Sequence, residues 1–496
     1  MAINFIPNDP LALDDVSMSN KNPRPDRPAN RAGFTFQGEA PEARYQPGTP
    51  EFLFWQCREG ALAAVETWER LDEDLARWAV NRRRLRLRQD AGEDLNAYYD
   101  RRSLSFFHWT TGAKTTQSGA STDVVAHEAG HALLDAIRPD LWDSFYLETG
   151  AFHEAFGDCV AILTALAHRR SRERLIEISP SLWSEHFLEA TAEDLSDGVR
   201  REIGASHPAA EPRHAFNFYN WSLPSTLPTS GGPRVLTSEI HSFGRVFSGC
   251  LYDLLGLLWN RQPSWDQSAL REAADIAGRL LIAGTRVAPE SPRFFQSVGR
   301  AMVLADEQLF GGAHRQDIHD AFAYHSVALG TSAMLAPTAA LAGPQLRVAA
   351  RAAKLSAATR RDLMQRIRAP KHPKIEVHAK AIAGQRVTEV VHRRAVSLSG
   401  VDPSLRGVVA VAAESMLVGR SAASAAVLGP LPQAAVTQDE VKGFVQMLLD
   451  NGLIDLGKKK VSALAAARAS AGKPTHAVRK VRGKKVLTRV RFACRH

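Results

Sequence analysis

Cysteine is scarce in this chain of 496 residues: only Cys57, Cys159, Cys250 and Cys494 occur, far apart and without paired CxxC spacing. That excludes a disulfide scaffold and a paired-cysteine metal site, and it leaves buried or incidental free thiols as the reading. The opening MAINFIPNDPLALDDVSMSN lacks a basic segment followed by an apolar one, because Asp and Pro interrupt each short apolar run. Long hydrophobic runs are also missing: the most apolar later stretches, 334–343 and 408–419, are broken by Pro337 or Glu414 and fall short of the roughly 20 residues of a membrane span. These absences predict a chain without a membrane span, cytoplasmic or else secreted by a non-Sec route. Acidic residues are absent from 457–496, where seven Lys and six Arg give +13 and leave 9 − 13 = −4 for the rest. Any attraction to an acidic or polyanionic partner therefore belongs to that region. It carries no nucleic-acid motif and no stacking aromatics, so a partner-docking or solubilising role is expected there.

The apolar share of 45% and charged share of 23% are those of globular proteins, and the length calls for two to four domains. Residues 1–35, rich in Asn, Asp, Pro and Arg, read as an extended or disordered arm. Between Thr49 and Asn81, apolar residues recur every three or four positions and predict helix; Leu95 to Trp109 reads as a pair of strands. Helical patterns recur at 123–138, 151–168, 242–260, 265–284 and 292–308. A Pro- and Gly-marked break and an Ala/Arg-rich helical linker over 336–372 precede a separate basic region, 373–496. Within it, Thr437 and Glu440 form a capping-box signal for a helix over 440–450, and HAVRKVRGKKVLTRVRF reads as a hairpin turning near Gly483.

Chemistry enters with Asp123-Val-Val-Ala-His-Glu-Ala-Gly-His131, an HExxH pattern inside an apolar-periodic helix. Residues four apart share a helix face, so His127 and His131 can present imidazoles to one ion while Glu128 reaches a water beside it. A hydrolytic zinc site needs a third protein ligand and one open position. Glu154, in Glu148-Thr-Gly-Ala-Phe-His-Glu-Ala-Phe-Gly-Asp158, is the candidate ligand. Asp158, one helical turn on, is placed to accept the free ring N–H of a liganding histidine.

Together these segments resemble the thermolysin family of gluzincin metallopeptidases, which shows a D-V-V-x-H-E-x-x-H helix followed by a G-A-x-x-E-A-x-x-D helix. A third match, Ser238-Glu-Ile-His-Ser-Phe-Gly-Arg, resembles the segment bearing that family's transition-state histidine and assigns the role to His241. Arg213, 28 positions earlier, resembles the arginine that binds the substrate carbonyl. Asn96-Ala97 is similar to the edge strand that holds the substrate backbone. The resemblance spans roughly residues 36–335 and implies an α+β fold with a mixed α/β N-terminal lobe (36–165) and a mainly helical C-terminal lobe (166–335), to which the basic region 373–496 is expected to add an accessory domain. It implies a zinc endopeptidase with one catalytic Zn2+, metal ligands His127, His131 and Glu154, catalytic Glu128 and His241, and peptide or protein substrates.

Three departures from the family pattern are legible. The gap between His131 and Glu154 is long, the family's tyrosine falls at Phe145 beside Tyr146, and the acidic residues of the family's paired calcium site are largely missing. Calcium dependence is therefore not carried over. The competing reading is a binding protein of reduced activity whose basic C-terminal region docks a polyanion. Because every candidate catalytic residue precedes residue 242, that region is expected to be dispensable for chemistry.

Overall fold

The computed structural model describes residues 2–14, 16–179, 181–330, 375–382, 385–418, 434–457 and 474–494. The helical linker expected over 336–372 and the run Lys458-Lys459-Lys460 lie outside the described residues.

The chain opens with β1 (Ile3–Phe5) paired to β2 (Ser19–Lys21), followed by β3 (Gly33–Phe36) and α1 (Pro50–Leu71). Thr49 caps α1 by accepting from Phe52 N at 3.2 Å, and Pro50 occupies the first turn, where its missing N–H costs nothing. The arm expected at the start is packed. Ile3, Phe5 and Ile6 are buried, the Gln56 side chain bonds Ile6 through both its amide groups, and Thr122 N donates to Asn8 O. The arm thus clamps the start of the HExxH helix, a contact its polar composition concealed.

Strands β4 (Arg84–Arg88), β5 (Ala97–Tyr99), β6 (Ser103–Phe106), β7 (His108–Thr111) and β8 (Lys114–Gln117) follow, and then α2 (Thr122–Ile137) and α3 (Leu147–Ala167). The middle of the chain is mainly helical: α4 (Arg169–Ile178), β9 (Ala190–Thr191), α5 (Glu193–Glu202), β10 (Arg213–His214), α6 (Ile240–Asn260), α7 (Gln267–Val287), α8 (Phe294–Phe310) and α9 (Arg315–Tyr324). Beyond it lie β11 (Ile375–Ile382), β12 (Gln385–Ser397), β13 (Val408–Val418), α10 (Ala434–Asp450), β14 (Ile454–Asp455), β15 (His476–Val481), β16 (Lys484–Arg489) and β17 (Phe492–Ala493). The described residues therefore form a mixed α+β fold with ten α-helices. One of these, α3, is long and apolar enough to cross a membrane, but 94% of its apolar window is buried inside the fold.

Among the described residues, two larger sheets stand beside the two-stranded pairs β1-β2, β7-β8 and β9-β10. One runs β11-β12-β13-β16-β15-β14, with Arg482 and Gly483 at positive φ in the turn between β15 and β16. That turn matches the expected basic hairpin, and its backbone twist suits tightly connected antiparallel strands. The other runs β17-β5-β6-β4-β3, so a strand from the far end of the sequence flanks β5.

That pairing corrects the expectation of a separate accessory domain. A single hydrophobic core includes Leu62, Phe156 and Phe322 together with Leu405, Phe444 and Phe492. Ser415 N donates to Glu290 O at 2.9 Å, Glu290 N donates back to Ser415 Oγ at 2.7 Å, and buried Arg489 donates through Nε to Trp142 O. The capping box is corrected too. The helix begins at Ala434, and Thr437 lies inside it with its hydroxyl on the buried carboxylate of Glu414.

Candidate active site

Helix α2 begins at Ser121, whose Oγ accepts from Val124 N, reinforced by Asp123 Oδ1 on the same N–H at 2.6 Å. The second Asp123 oxygen accepts from Ala192 N at 2.9 Å and ties the helix start to the next segment. Burial raises the Asp123 carboxyl to about 6, against the pull of these backbone N–H groups.

Helices α2 and α3 approach closely because glycines face each other. A Cβ on Gly130 would meet Gly157 Cα at 2.9 Å, and a Cβ on Gly157 would meet the His127 ring at 2.6 Å. Gly244 does the same for α6, where a Cβ would lie 2.8 Å from Ala151 O. Three helices are thereby brought within side-chain reach of one another, and their polar groups converge inside an apolar surround.

His127, Glu128 and His131 are fully buried, and Glu154 is 1% exposed. Glu154 Oε2 lies 3.4 Å from His127 Nε2 and 3.6 Å from His131 Nε2. Ligand atoms on a tetrahedral ion with bonds of about 2.0–2.1 Å sit about 3.3 Å apart. Glu128 also offers an oxygen within 4.8 Å of both histidines. Of the two carboxylates, Glu154 has the better spacing from a separate helix, whereas Glu128 projects beside the histidines and accepts from another side chain. His127 Nε2, His131 Nε2 and Glu154 Oε1 are buried without a hydrogen-bond partner, and Glu154 Oε2 faces three imidazole nitrogens. Buried polar atoms normally find partners, so these orphans on two imidazoles and one carboxylate fit a divalent cation.

The surround fixes these groups. His127 Nδ1 is 2.8 Å from Asp158 Oδ1, and Arg213 Nη2 donates to the same oxygen at 2.8 Å. Burial opposes ionisation of Asp158, but Arg213 and His127 hold its carboxyl well below the usual range. Glu154 is likewise depressed against its burial, by His241 and His131. Burial lifts Glu128 to about 7 and drops His131 to about 4.

His241 stands at the head of α6. Glu239 caps that helix by accepting from His241 N and Ser242 N, and its other oxygen lies 2.9 Å from His241 Nδ1. His241 Nε2 is 2.9 Å from Glu154 Oε2. Burial alone would lower its pKa, but Glu154 and Glu239 together raise it to about 9.

Asn96, Arg213 and His241 line one cleft of about 470 Å³, shared with Glu239, Ser242 and Asn451. Arg213 faces Asp158 more closely than the resemblance implies. Asn451, at the end of α10, closes the cleft wall by donating to Thr229 O at 3.0 Å. Tyr146 is buried beside Glu414, Glu290 and Thr437 rather than at the histidines.

Four further residues here carry no expected role. Glu239 orients His241; its signal was an acid two positions before a helix-starting histidine. Cys494 Sγ donates to Glu128 Oε1 at 3.0 Å, and Phe492 and Arg489 lie close by. No local pattern marked these three.

Comparison with known proteins gives the class first. A model of the Fungalysin metallopeptidase (M36) family, which is a gluzincin family, matches residues 100–333. The chain is thus similar to metallopeptidases across the region that holds HExxH, Glu154, Arg213 and His241. Particular relatives follow: extracellular metalloproteinase 2 of Trichophyton tonsurans, 22% identical over 229 residues, 44% of this chain and 32% of that protein. Extracellular metalloproteinase 3 of Arthroderma benhamiae is 22% identical over 237 residues, 46% of this chain and 33% of the relative. The same-named protein of Trichophyton soudanense gives 22% over 237 residues, covering 54% of its length. The chain spans about a third of the first two relatives. Their names place them outside the cell, which corrects the cytoplasmic expectation drawn from the missing export signal and the scarce, unpaired cysteines.

Proposed function

We propose that the protein is a zinc-dependent endopeptidase of thermolysin-like, two-lobed organisation, in which His127, His131 and Glu154 hold the metal. The observation that carries this reading is the set of orphaned, buried ligand atoms spaced about as a tetrahedral ion requires. Lobes spanning 36–165 and 166–335 would meet at the cleft.

Bound zinc would supply a Lewis acid for the scissile carbonyl and bring the pKa of a water toward about 7. Glu128, beside the histidines on α2, takes the proton of the attacking water and returns it to the leaving amine. His241, oriented by Glu239, and Arg213 donate to the oxyanion that develops on the substrate. Asn96 and Ala97 hold the substrate backbone along the edge of β5. Recognition of a strand edge reads main chain rather than chain ends, which favours internal cleavage. The relatives support a peptide or protein substrate, and the reading as a polyanion-docking binding protein gains nothing from them.

The test is Glu128→Gln in the full chain. Metal content should stay at the wild-type level while hydrolysis of an end-blocked peptide falls at least about a hundredfold. Near wild-type turnover in that variant would move the proton acceptor elsewhere and overturn the reading.

A further inference from the structure

Strand β17 runs antiparallel to β5, with Phe492 opposite Tyr99 and Ala493 opposite Tyr98, and Cys494 N donates to Ala97 O at 2.9 Å. This is the edge along which a peptide substrate would lie. Phe492 is fully buried; its ring stacks on His153 at 4.0 Å and on His131 at 4.8 Å, with the Arg489 guanidinium 4.0 Å from its centroid. Trp142 closes the pocket edge-on at 5.5 Å. One residue past the strand, the Cys494 thiol is buried and donates to Glu128 Oε1.

A short strand that supplies a main-chain bond, an aromatic anchor and a soft ligand at successive positions does three things a bound inhibitor does. The main-chain bond satisfies the edge, the anchor fills a pocket walled by two imidazoles, and the sulfur sits against the proton acceptor. Sulfur is also the protein ligand with the strongest preference for zinc after deprotonation. His131 Nε2 and Glu154 Oε1, buried without partners, belong to the metal site read above, and the Cys494 thiol contacts its His127 as well as Glu128.

We infer that residues 492–494 occupy the substrate groove as a built-in peptide mimic and that the Cys494 sulfur is the fourth ligand of the catalytic metal, holding the site latent. This rests on the metal-site reading above. Bound as a thiolate, with its proton taken by the Glu128 oxygen it already faces, Cys494 would fill the position otherwise open to water; with the strand released and the proton returned to the sulfur, that position and the β5 edge would be open to water and substrate. No oxidant or cleavage is required.

Cobalt(II) loading of the full chain tests this. Visible ligand-field absorption counts bound cobalt, and a near-ultraviolet sulfur-to-cobalt charge-transfer band reports a thiolate ligand. The expected result is about one cobalt per chain with the sulfur band present. The band should vanish in Cys494→Ser and in Cys494→Ala while cobalt stays bound, and it should survive in Cys57→Ala. Hydrolysis of an end-blocked aromatic peptide by the zinc forms of the two Cys494 variants should rise about tenfold over wild type. Cobalt bound without a sulfur band in the unmodified chain would overturn the inference and leave the metal site standing, with no dependence on how any variant folds. No bound cobalt at all would overturn both.

Discussion

His127 Nδ1 and Arg213 Nη2 share one oxygen, Asp158 Oδ1, each at 2.8 Å, so a single buried carboxylate orients a candidate metal ligand and neutralises a cleft arginine. Fixing the ring through Nδ1 leaves Nε2 as the ligating atom.

Asp158→Asn should therefore keep the fold but weaken zinc about 10–100-fold, because the amide cannot enforce the tautomer or balance Arg213. Competition against a chromogenic chelator measures this. Unchanged affinity would mean that the α2–α3 packing alone positions His127.

The close approach of α2 and α3 makes a second prediction. Gly157→Ala places a methyl 2.6 Å from the His127 ring, with the rigid helix backbone behind both. Overpacking of this kind costs about 1–3 kcal/mol and should also displace the imidazole. Denaturant unfolding should show the loss of stability, and zinc retention should fall with it.

The third prediction concerns Glu290, which joins α8's approach to the six-stranded sheet through its backbone bonds to Ser415. Burial, aided by Asp140, raises its carboxyl from the ordinary 4.5 to about 8, outweighing Ser144 and Arg138. A folded pKa above the unfolded value gives a contribution that is complete below about pH 4.5 and is lost as pH rises through about 8. Glu290→Gln stays neutral throughout. The stability of wild type relative to this variant should fall between pH 5 and 8 by an amount on the order of a few kcal/mol. A flat difference across that window would show that Glu290 is ionised when folded.

How much of this was legible in the sequence depended on the range of the contacts. The helices bearing His127, Glu154 and His241 announce themselves because apolar periodicity and the HExxH spacing are local, and the observed α2, α3 and α6 lie within a few residues of the expected bounds. What brings them together, Gly130 against Gly157 and Gly244 against α3, is visible only once the helices pack. The packed arm and Thr437 misled for one reason: their polar composition is satisfied by distant partners, Gln56, Thr122 and Glu414. Cys494 is the extreme case. It lies 366 residues from Glu128, one position past a two-residue strand in a basic stretch, and no periodicity can forecast such a pairing.

The central claim is that one zinc ion is held by His127, His131 and Glu154, and elemental analysis of the purified full chain tests it most directly. The account predicts about one zinc per chain in wild type, and loss of stoichiometric zinc in folded His131→Ala and Glu154→Gln variants. Wild-type protein without stoichiometric zinc, or zinc retained unchanged by both variants, would contradict it.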